Sequence, residues 1–352
     1  MVIAAFVPGN TPPLALSFIY KVIVEWANSY PQNQFYIISD ADISPIPFNQ
    51  KNIVTATVGL KHGLLYNSRL KNKMSVILTE KKASALISID RPIGLSTIPQ
   101  YSLIQALDKK INSRLLNRLE GIITLSKALK NELINKTGIL EEKIQVVYGG
   151  TLSTRLSIDE GINTNTRDKF SEGKPFLLYR STSDAQKNVI QLLKAFSLFK
   201  KRQKSSMKLL LLGKIEGTVE NFDSLLNTYK FKEDVVYLTH LDEKEKENIM
   251  ASAYAYISLS GPDAAFKLLE AANASIPIVA PHTSVLKELD EKMALFFADN
   301  DVTDLAEKMM LIYKDENLQA RLSIKGKEIS EKYTWAKTVR AMQELLDKQA
   351  ND

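Results

Sequence analysis

Glu270 lies in Ala264–Ala274, a run free of Gly and Pro and rich in Ala, Leu, Lys and Glu, so the local preference is helical. Just before it, Ala255–Leu259 is a short apolar run suited to a buried strand, and Ser260-Gly261-Pro262-Asp263 breaks that run. Beyond it, Ser275-Ile276-Pro277 ends the helix, and Ile278-Val279-Ala280 reads as the next strand. Such a unit places free backbone N–H groups and the positive end of a helix dipole at the carboxyl edge of a parallel sheet, where a nucleoside diphosphate fits. Glu270 sits between apolar Leu269 and Ala271. A partly buried carboxylate needs donors, and ribose hydroxyls supply them. A solvated helix glutamate is the plainer alternative, because Glu is usually exposed.

The elements that hold this stretch recur along the chain. Strands are expected at Met1–Phe6, Gln34–Ile38, Ile53–Val58, Ala83–Ile89, Gly121–Leu125 and Lys143–Tyr148. Helices are expected at Leu14–Tyr30, in part of Leu60–Lys82, at Gln105–Arg118, and at Lys127–Lys136 with Ser126 as its cap. Residues 149–174 carry Gly149, Gly150 and many Ser, Thr and Asn, and read as a linker. The pattern then restarts. Strands at Pro175–Tyr179, Lys208–Leu212 and Val235–Leu238 alternate with helices at Lys187–Lys201, Asn221–Tyr229 and Asp242–Ala253. A short helix at Ser284–Leu289, a strand at Ala294–Phe297 and helices at Val302–Asp315, Leu318–Glu331 and Trp335–Lys348 complete the chain. Alternation of this kind predicts α/β architecture with two parallel sheets.

At 352 residues the chain can form two domains, each with its own core. Its 45% hydrophobic and 24% charged content is that of a globular protein and argues against disorder. With no cysteine, disulfides, thiol catalysis and Cys-ligated metals are excluded, in agreement with a reducing, cytoplasmic setting. The amino-terminal MVIAAFVPGN lacks a basic leader and stops at Pro8, too short for a secretory core, and reads as the first strand. His62, His240 and His282 have no neighbouring His or carboxylate at metal-ligand spacing, so no metal site is expected. Neither a nucleophilic serine elbow nor a Walker loop is present.

Residues 1–165 hold 18 Lys plus Arg against 12 Asp plus Glu, which equals the whole net charge of +6. The excess is densest at Arg69–Lys82 and Lys109–Lys130, and in the second stretch Leu115, Leu116 and Leu119 recur beside Arg114 and Arg118. This pattern fits a peripheral contact with an anionic membrane, at the inner membrane face, or a phosphorylated acceptor; a packed helix with a solvated rim is the plainer reading. Nucleic acid is not expected, because no aromatic-and-basic cluster accompanies the charge.

From Leu119 onward several segments resemble the retaining GT-B glycosyltransferases, the group 1 mannosyl- and glucosyltransferase-like family. They are LEGIITLSKALKNEL, PFLLYRSTSDAQKNVIQLLKAFSLFK, MKLLLLGK, DVVYLTHLDEKEKENIMASAYAYISLS, LLEAANASIPIVAP, VLKEL and YTWAKTV, in the family's order. The resemblance implies two Rossmann-like domains facing a central cleft: an acceptor-side domain at 1–165, on which helix 335–352 packs back, and a donor domain at 166–334. It implies hexose transfer with retention from a nucleotide sugar, GDP- or UDP-hexose, to a glycan or lipid-linked acceptor, with no cofactor required. By the same resemblance Lys187, with Arg180, would neutralise the donor diphosphate, and Glu270 would accept from the ribose. The amides around Ala265, Phe266, Lys267 and Leu268 would face the diphosphate and sugar, and Thr239 and His240 would lie near the base.

The chain also departs from the family. The glutamate usual eight residues before Glu270 is Pro262 here, and the adjacent Asp263 is the candidate to reach the same sugar hydroxyls. A loop glycine appears as Ala265, another is replaced around Arg180 and Ser181, and Gln186 stands before the lysine pair. The His-Asp pair often found after Ile98-Pro99-Gln100 is absent. These losses keep a second reading open, a non-catalytic GT-B-like partner that binds a glycan or an active glycosyltransferase.

Overall fold

Two parallel sheets organise the chain in the computed structural model, one in each of two units: Met1–Gly150 with Trp335–Asp352, and Thr151–Thr334. The structure describes residues 1–11, 13–41, 48–60, 63–95, 97–105, 107, 112–151, 160–181, 185–213, 222–259, 264–283 and 288–350. The expected helix at Ser284–Leu289 falls largely outside these residues.

The first sheet contains β1 (Val2–Val7), β2 (Gln34–Ser39), β3 (Ile53–Thr57), β4 (Ala85–Ile89), β5 (Gln100–Ile104), β6 (Gly121–Thr124) and β7 (Ile144–Val146). Its order is β3-β2-β1-β4-β5-β6-β7, with Ile3 opposite both Phe35 and Ala85. Helices α1 (Pro13–Ser29), α2 (Tyr66–Glu80), α3 (Ser113–Asn117) and α4 (Lys127–Thr137) connect the strands. The central strands are buried on both faces, which is why they read as unbroken apolar runs. Leu70, Met74 and Leu78 form a four-residue repeat along α2 and cluster with Phe6, Ile38 and Leu86. The Ser126 hydroxyl caps α4, accepting from the Leu129 N–H at 3.0 Å.

Two expectations fail in this unit. Among the described residues, the helix predicted over Gln105–Arg118 is the five-residue α3, and a strand not expected from the sequence, β5, precedes it. Its sequence QYSLI alternates polar and apolar residues, yet all five are buried. Local bonds satisfy the polar ones: Ser102 Oγ donates to Ser88 O at 3.3 Å, and Gln100 Oε1 accepts from the Leu95 N–H at 3.1 Å. Leu116 and Leu119 are buried in the cluster beneath β6, so the basic helix is a packed one.

The last helix, α12 (Trp335–Ala350), packs on α1. Trp335 meets Phe18 edge-on at 5.2 Å between ring centroids. Buried Gln343 accepts two hydrogen bonds on Oε1, from Trp26 Nε1 at 2.8 Å and from Asn33 Nδ2 at 2.9 Å.

The second sheet runs β10-β9-β8-β11-β12-β13, all parallel, from β8 (Phe176–Arg180), β9 (Lys208–Leu212), β10 (Val235–Leu238), β11 (Ala255–Ile257), β12 (Ile278–Pro281) and β13 (Leu295–Phe297). Helices α5 (Glu160–Ser171), α6 (Ala185–Gln203), α7 (Phe222–Asn227), α8 (Glu243–Ser252), α9 (Ala264–Asn273), α10 (Val302–Lys314) and α11 (Glu316–Ser330) cover it. Val189, Leu192, Leu193 and Phe196 of α6 join Leu209 and Leu211 of β9 in its core.

The expected linker at 149–174 contains α5, and the division between units falls at residue 150 where 165 was expected. Tertiary contacts override the polar composition there. Ser252 Oγ donates to Asn163 Oδ1 at 2.9 Å, Arg167 Nη2 donates to Ser252 O at 3.3 Å, and Lys169 pairs with Glu245 at 2.7 Å, fixing α5 to α8.

Trp26 and Trp335 are the chain's two tryptophans, and both lie in the first unit. Gln343→Leu strands the Trp26 and Asn33 donors and is expected to cost roughly 1–3 kcal/mol. Urea unfolding followed by tryptophan fluorescence measures this directly; an unchanged midpoint would show that these bonds contribute nothing net.

Candidate functional site

In the second sheet the strand order reverses between β8 and β11, and the carboxyl ends at such a point are where open α/β sheets bind ligands. Arg180 is the last residue of β8, and α9 runs back from the same edge. Lys267 and Glu270 are three residues apart on α9, so they share one face. Both turn to the end of β8. Arg180 Nη1 donates to Glu270 Oε2, and Lys267 Nζ donates to the carbonyl of Ser181.

The Arg180 and Glu270 side chains keep 22% and 23% of their exposure, enough for a ligand to reach them and too little for free hydration. Burial works against the Arg180 charge, but the carboxylate of Glu270, helped by Tyr256 and Glu243, raises its pKa above the ordinary arginine value. The guanidinium stays charged and keeps a carboxylate acceptor at the sheet edge. Lys267 is 3% exposed, and the carbonyl it meets ends the strand that carries Arg180.

The neighbouring backbone keeps this edge open. Ser181 N–H continues the sheet by donating to Leu212 O at 2.7 Å. Gly213 follows at φ +91°, a conformation that strains other residues, and a Cβ there would lie 3.6 Å from Ser181 Cβ. At the far end of α9, Lys327 Nζ donates to Asn273 O at 3.0 Å and to its Oδ1 at 2.8 Å, a cation at the negative helix end.

The expected site residues fall into separate groups. Arg180 and Glu270 are in direct contact, and Lys267 joins the same strand end through the carbonyl of Ser181, the residue after Arg180. Ala265 and Phe266 lie in the first turn of α9; Leu268 is fully buried, and as the fifth residue of the helix its N–H lies past the four that a helix start leaves free, so the expected Leu268 amide contact is not available. Lys187 is exposed in the first turn of α6 and forms no ion pair among the described residues. Thr239 and His240 follow β10, the edge strand, with Thr239 Oγ1 2.8 Å from His240 Nδ1. Two strand spacings separate β10 from β8, roughly 10 Å. Asp263 lies outside the described residues, as does His62. Sequence reading missed the Lys267 side chain and named only its amide; its three-residue spacing from Glu270 was the available signal.

Two parallel-sheet α/β units in one chain, the second with this edge, make the GT-B fold. Residues 163–329, all within the second unit, match the family described as Glycosyl transferases group 1. A glycosyltransferase of Rickettsia africae superposes with a TM-score of 0.86 at 14% identity, covering 99% of this chain and 98% of that one. Alr3699/HepE of Anabaena, solved with UDP and glucose, superposes with a TM-score of 0.79 at 15% identity, covering 99% and 100%. By sequence, the uncharacterized glycosyltransferase MJ1178 of Methanocaldococcus jannaschii is 24% identical over 287 residues, 79% of this chain and 70% of the relative.

Arg180→Ala leaves the Glu270 carboxylate partly buried without its cation, and a loss of roughly 1–3 kcal/mol is expected. Thermal melts followed by circular dichroism check it, with Glu270→Gln in the Arg180→Ala background restoring part of the loss. Equal and additive losses from the two changes would mean that the side chains are not coupled.

Proposed function

We propose that this protein transfers a hexosyl group from a nucleoside diphosphate sugar to a glycan or lipid-linked acceptor, with retention at the anomeric carbon. The observation that carries the reading is the Arg180–Glu270 pair beside Lys267 at the reversal point of the second sheet, inside the segment that matches the family. Glu270 would accept from the ribose while Arg180 holds its carboxylate oriented. Lys187 and the amides of the first turn of α9 would take the diphosphate.

In the transfer, the acceptor oxygen bonds to the anomeric carbon as the bond from that carbon to the β-phosphate oxygen breaks. The acceptor proton passes to the departing phosphate oxygen, and a nucleoside diphosphate leaves. Catalysis in this reading comes from holding donor and acceptor together and from stabilising the charge that grows on the diphosphate. Lys187 and the helix end supply that stabilisation, so transfer is expected to survive a metal chelator. Asp263, beside Pro262, is the candidate for the sugar hydroxyls.

A thermal-shift screen with UDP, GDP, ADP and their hexose conjugates tests the donor site. A ligand at about 100 times its Kd adds roughly 2.7 kcal/mol of stability. One base should give a clear shift that Glu270→Ala removes and Lys187→Ala weakens about tenfold or more in affinity. No shift with any of them would replace this reading with the non-catalytic partner.

The acceptor side extends to a peripheral contact with an anionic membrane. Among the described residues no helix is long and apolar enough to cross one. Leu64 and Leu65 stand exposed before α2, Val76 is exposed along it, and Arg69, Lys71, Lys73, Lys81 and Lys82 outnumber Glu80 in this stretch. Cosedimentation is expected with phosphatidylcholine vesicles that contain phosphatidylglycerol and not with phosphatidylcholine alone, and Leu64→Ser with Leu65→Ser should abolish it. Equal pelleting of the variant and the original chain would reject the contact.

A further inference from the structure

The first sheet has a reversal point of its own, between β1 and β4. Connections from these strands leave in opposite directions, and the carboxyl ends at such a point are where open α/β sheets bind ligands. Gly9 follows β1, Asp40 follows β2, Asp90 and Arg91 follow β4, and Gln105 follows β5, so four strands deliver polar groups to one edge.

These groups are built into place. A Cβ at Gly9 would fall 2.4 Å from Ala41 Cβ and 3.0 Å from Asp40 Oδ1, so the backbone approaches Asp40 as only glycine can. The Gly9 N–H donates to Asp40 Oδ1 at 2.6 Å, and the Tyr66 hydroxyl donates to Asp40 Oδ2. Burial, and then the bond to Asp40, push the Tyr66 pKa up to about 12, so the phenol keeps its proton. The Arg91 guanidinium lies over the Tyr66 ring, 4.7 Å from its centroid, and Nη2 donates to Asn67 Oδ1 at 2.5 Å. A buried carboxylate thus fixes a tyrosine, and the tyrosine fixes an arginine.

Two donors at this edge are incompletely matched, since the Arg91 guanidinium meets only the neutral Asn67 and Tyr66 among the described residues. Arg91 is half-exposed and pairs with no carboxylate among the described residues. Gln105 Nε2 is buried and has no hydrogen-bond partner there, while the Gln105 backbone N–H is held by Asp90 Oδ1 at 2.6 Å. An unpaired buried amide is costly unless a ligand takes its hydrogen bond. β4 and β5 are neighbours, with Ile89 opposite Leu103, so Arg91 and Gln105 leave adjacent strand ends, and a planar cationic fork and an unfilled amide donor there match a group that only accepts, an oxyanion.

We propose that the carboxyl edge of the first sheet binds an anionic sugar acceptor, whose phosphate or carboxylate is read by Arg91 with Gln105 as the neighbouring donor. The word acceptor rests on the glycosyl-transfer reading above; the anion site itself does not. Arg91 sets specificity here by touching the ligand, and Tyr66 and Asp40 are positioning residues that hold it.

Titrations of the full chain with glucose, glucose 6-phosphate and glucuronic acid, followed by saturation-transfer NMR, test the proposal. At least one anionic sugar should bind about tenfold or more tightly than glucose. Arg91→Ala should erase that preference, Arg91→Lys should recover part of it, and Gln105→Ala should weaken the anionic sugar without affecting glucose. Whichever of the two anions binds names the acceptor group. The thermal shift given by nucleoside diphosphates should persist in Arg91→Ala, which also shows that the variant is folded; if it is not, Arg91→Lys and Gln105→Ala carry the test. Failure of both anionic sugars to bind the original chain, or equal binding by Arg91→Ala, overturns the proposal. An Arg91-dependent preference without any nucleotide shift would sink the transfer reading and leave the anion site standing.

Discussion

The contact between Arg180 and Glu270 joins the end of β8 to the middle of α9, and the candidate donor site depends on it. A carboxylate on a helix whose other residues are mostly buried cannot rest there without a cation or a ring of donors. Arg180 supplies the cation from the strand below. Lys267, one helical turn earlier, supplies a second anchor to the same strand end through Ser181. The two contacts fix the helix against the sheet at the edge where it begins. In the proposed reading, stability and donor recognition draw on the same groups.

Both sheets use the same device with opposite chemistry. In the second unit the reversal between β8 and β11 carries a carboxylate held by an arginine. In the first, the reversal between β1 and β4 carries an arginine held by a tyrosine, which a carboxylate holds in turn. In the proposed reading, one edge offers an acceptor to hydroxyls, and the other offers donors to an oxyanion. The basic excess of the chain lies in the half with Arg91, in keeping with that division.

Most of the fold was legible because parallel strands buried on both faces leave apolar runs, and helices between them leave three- and four-residue repeats. What escaped was structure made by tertiary contact. QYSLI reads poorly as a core strand because its Ser and Gln find partners only from neighbouring strands and loops. The segment at Glu160–Ser171 is polar enough for a linker, and it is helical because α8 receives it. At the site, Glu270 and Arg180 were each legible by type and place. Their pairing was not, since 90 residues separate them and no local spacing records it.

The direct measurement is calorimetric titration with the nucleoside diphosphate that binds best and with its 2′,3′-dideoxyribose analogue, on the original chain and on Glu270→Ala. If Glu270 takes the ribose hydroxyls, the original chain prefers the ribose form by about tenfold or more, and the variant shows no preference. An equal preference in both proteins would contradict the assignment of Glu270, and with it the account of the donor site.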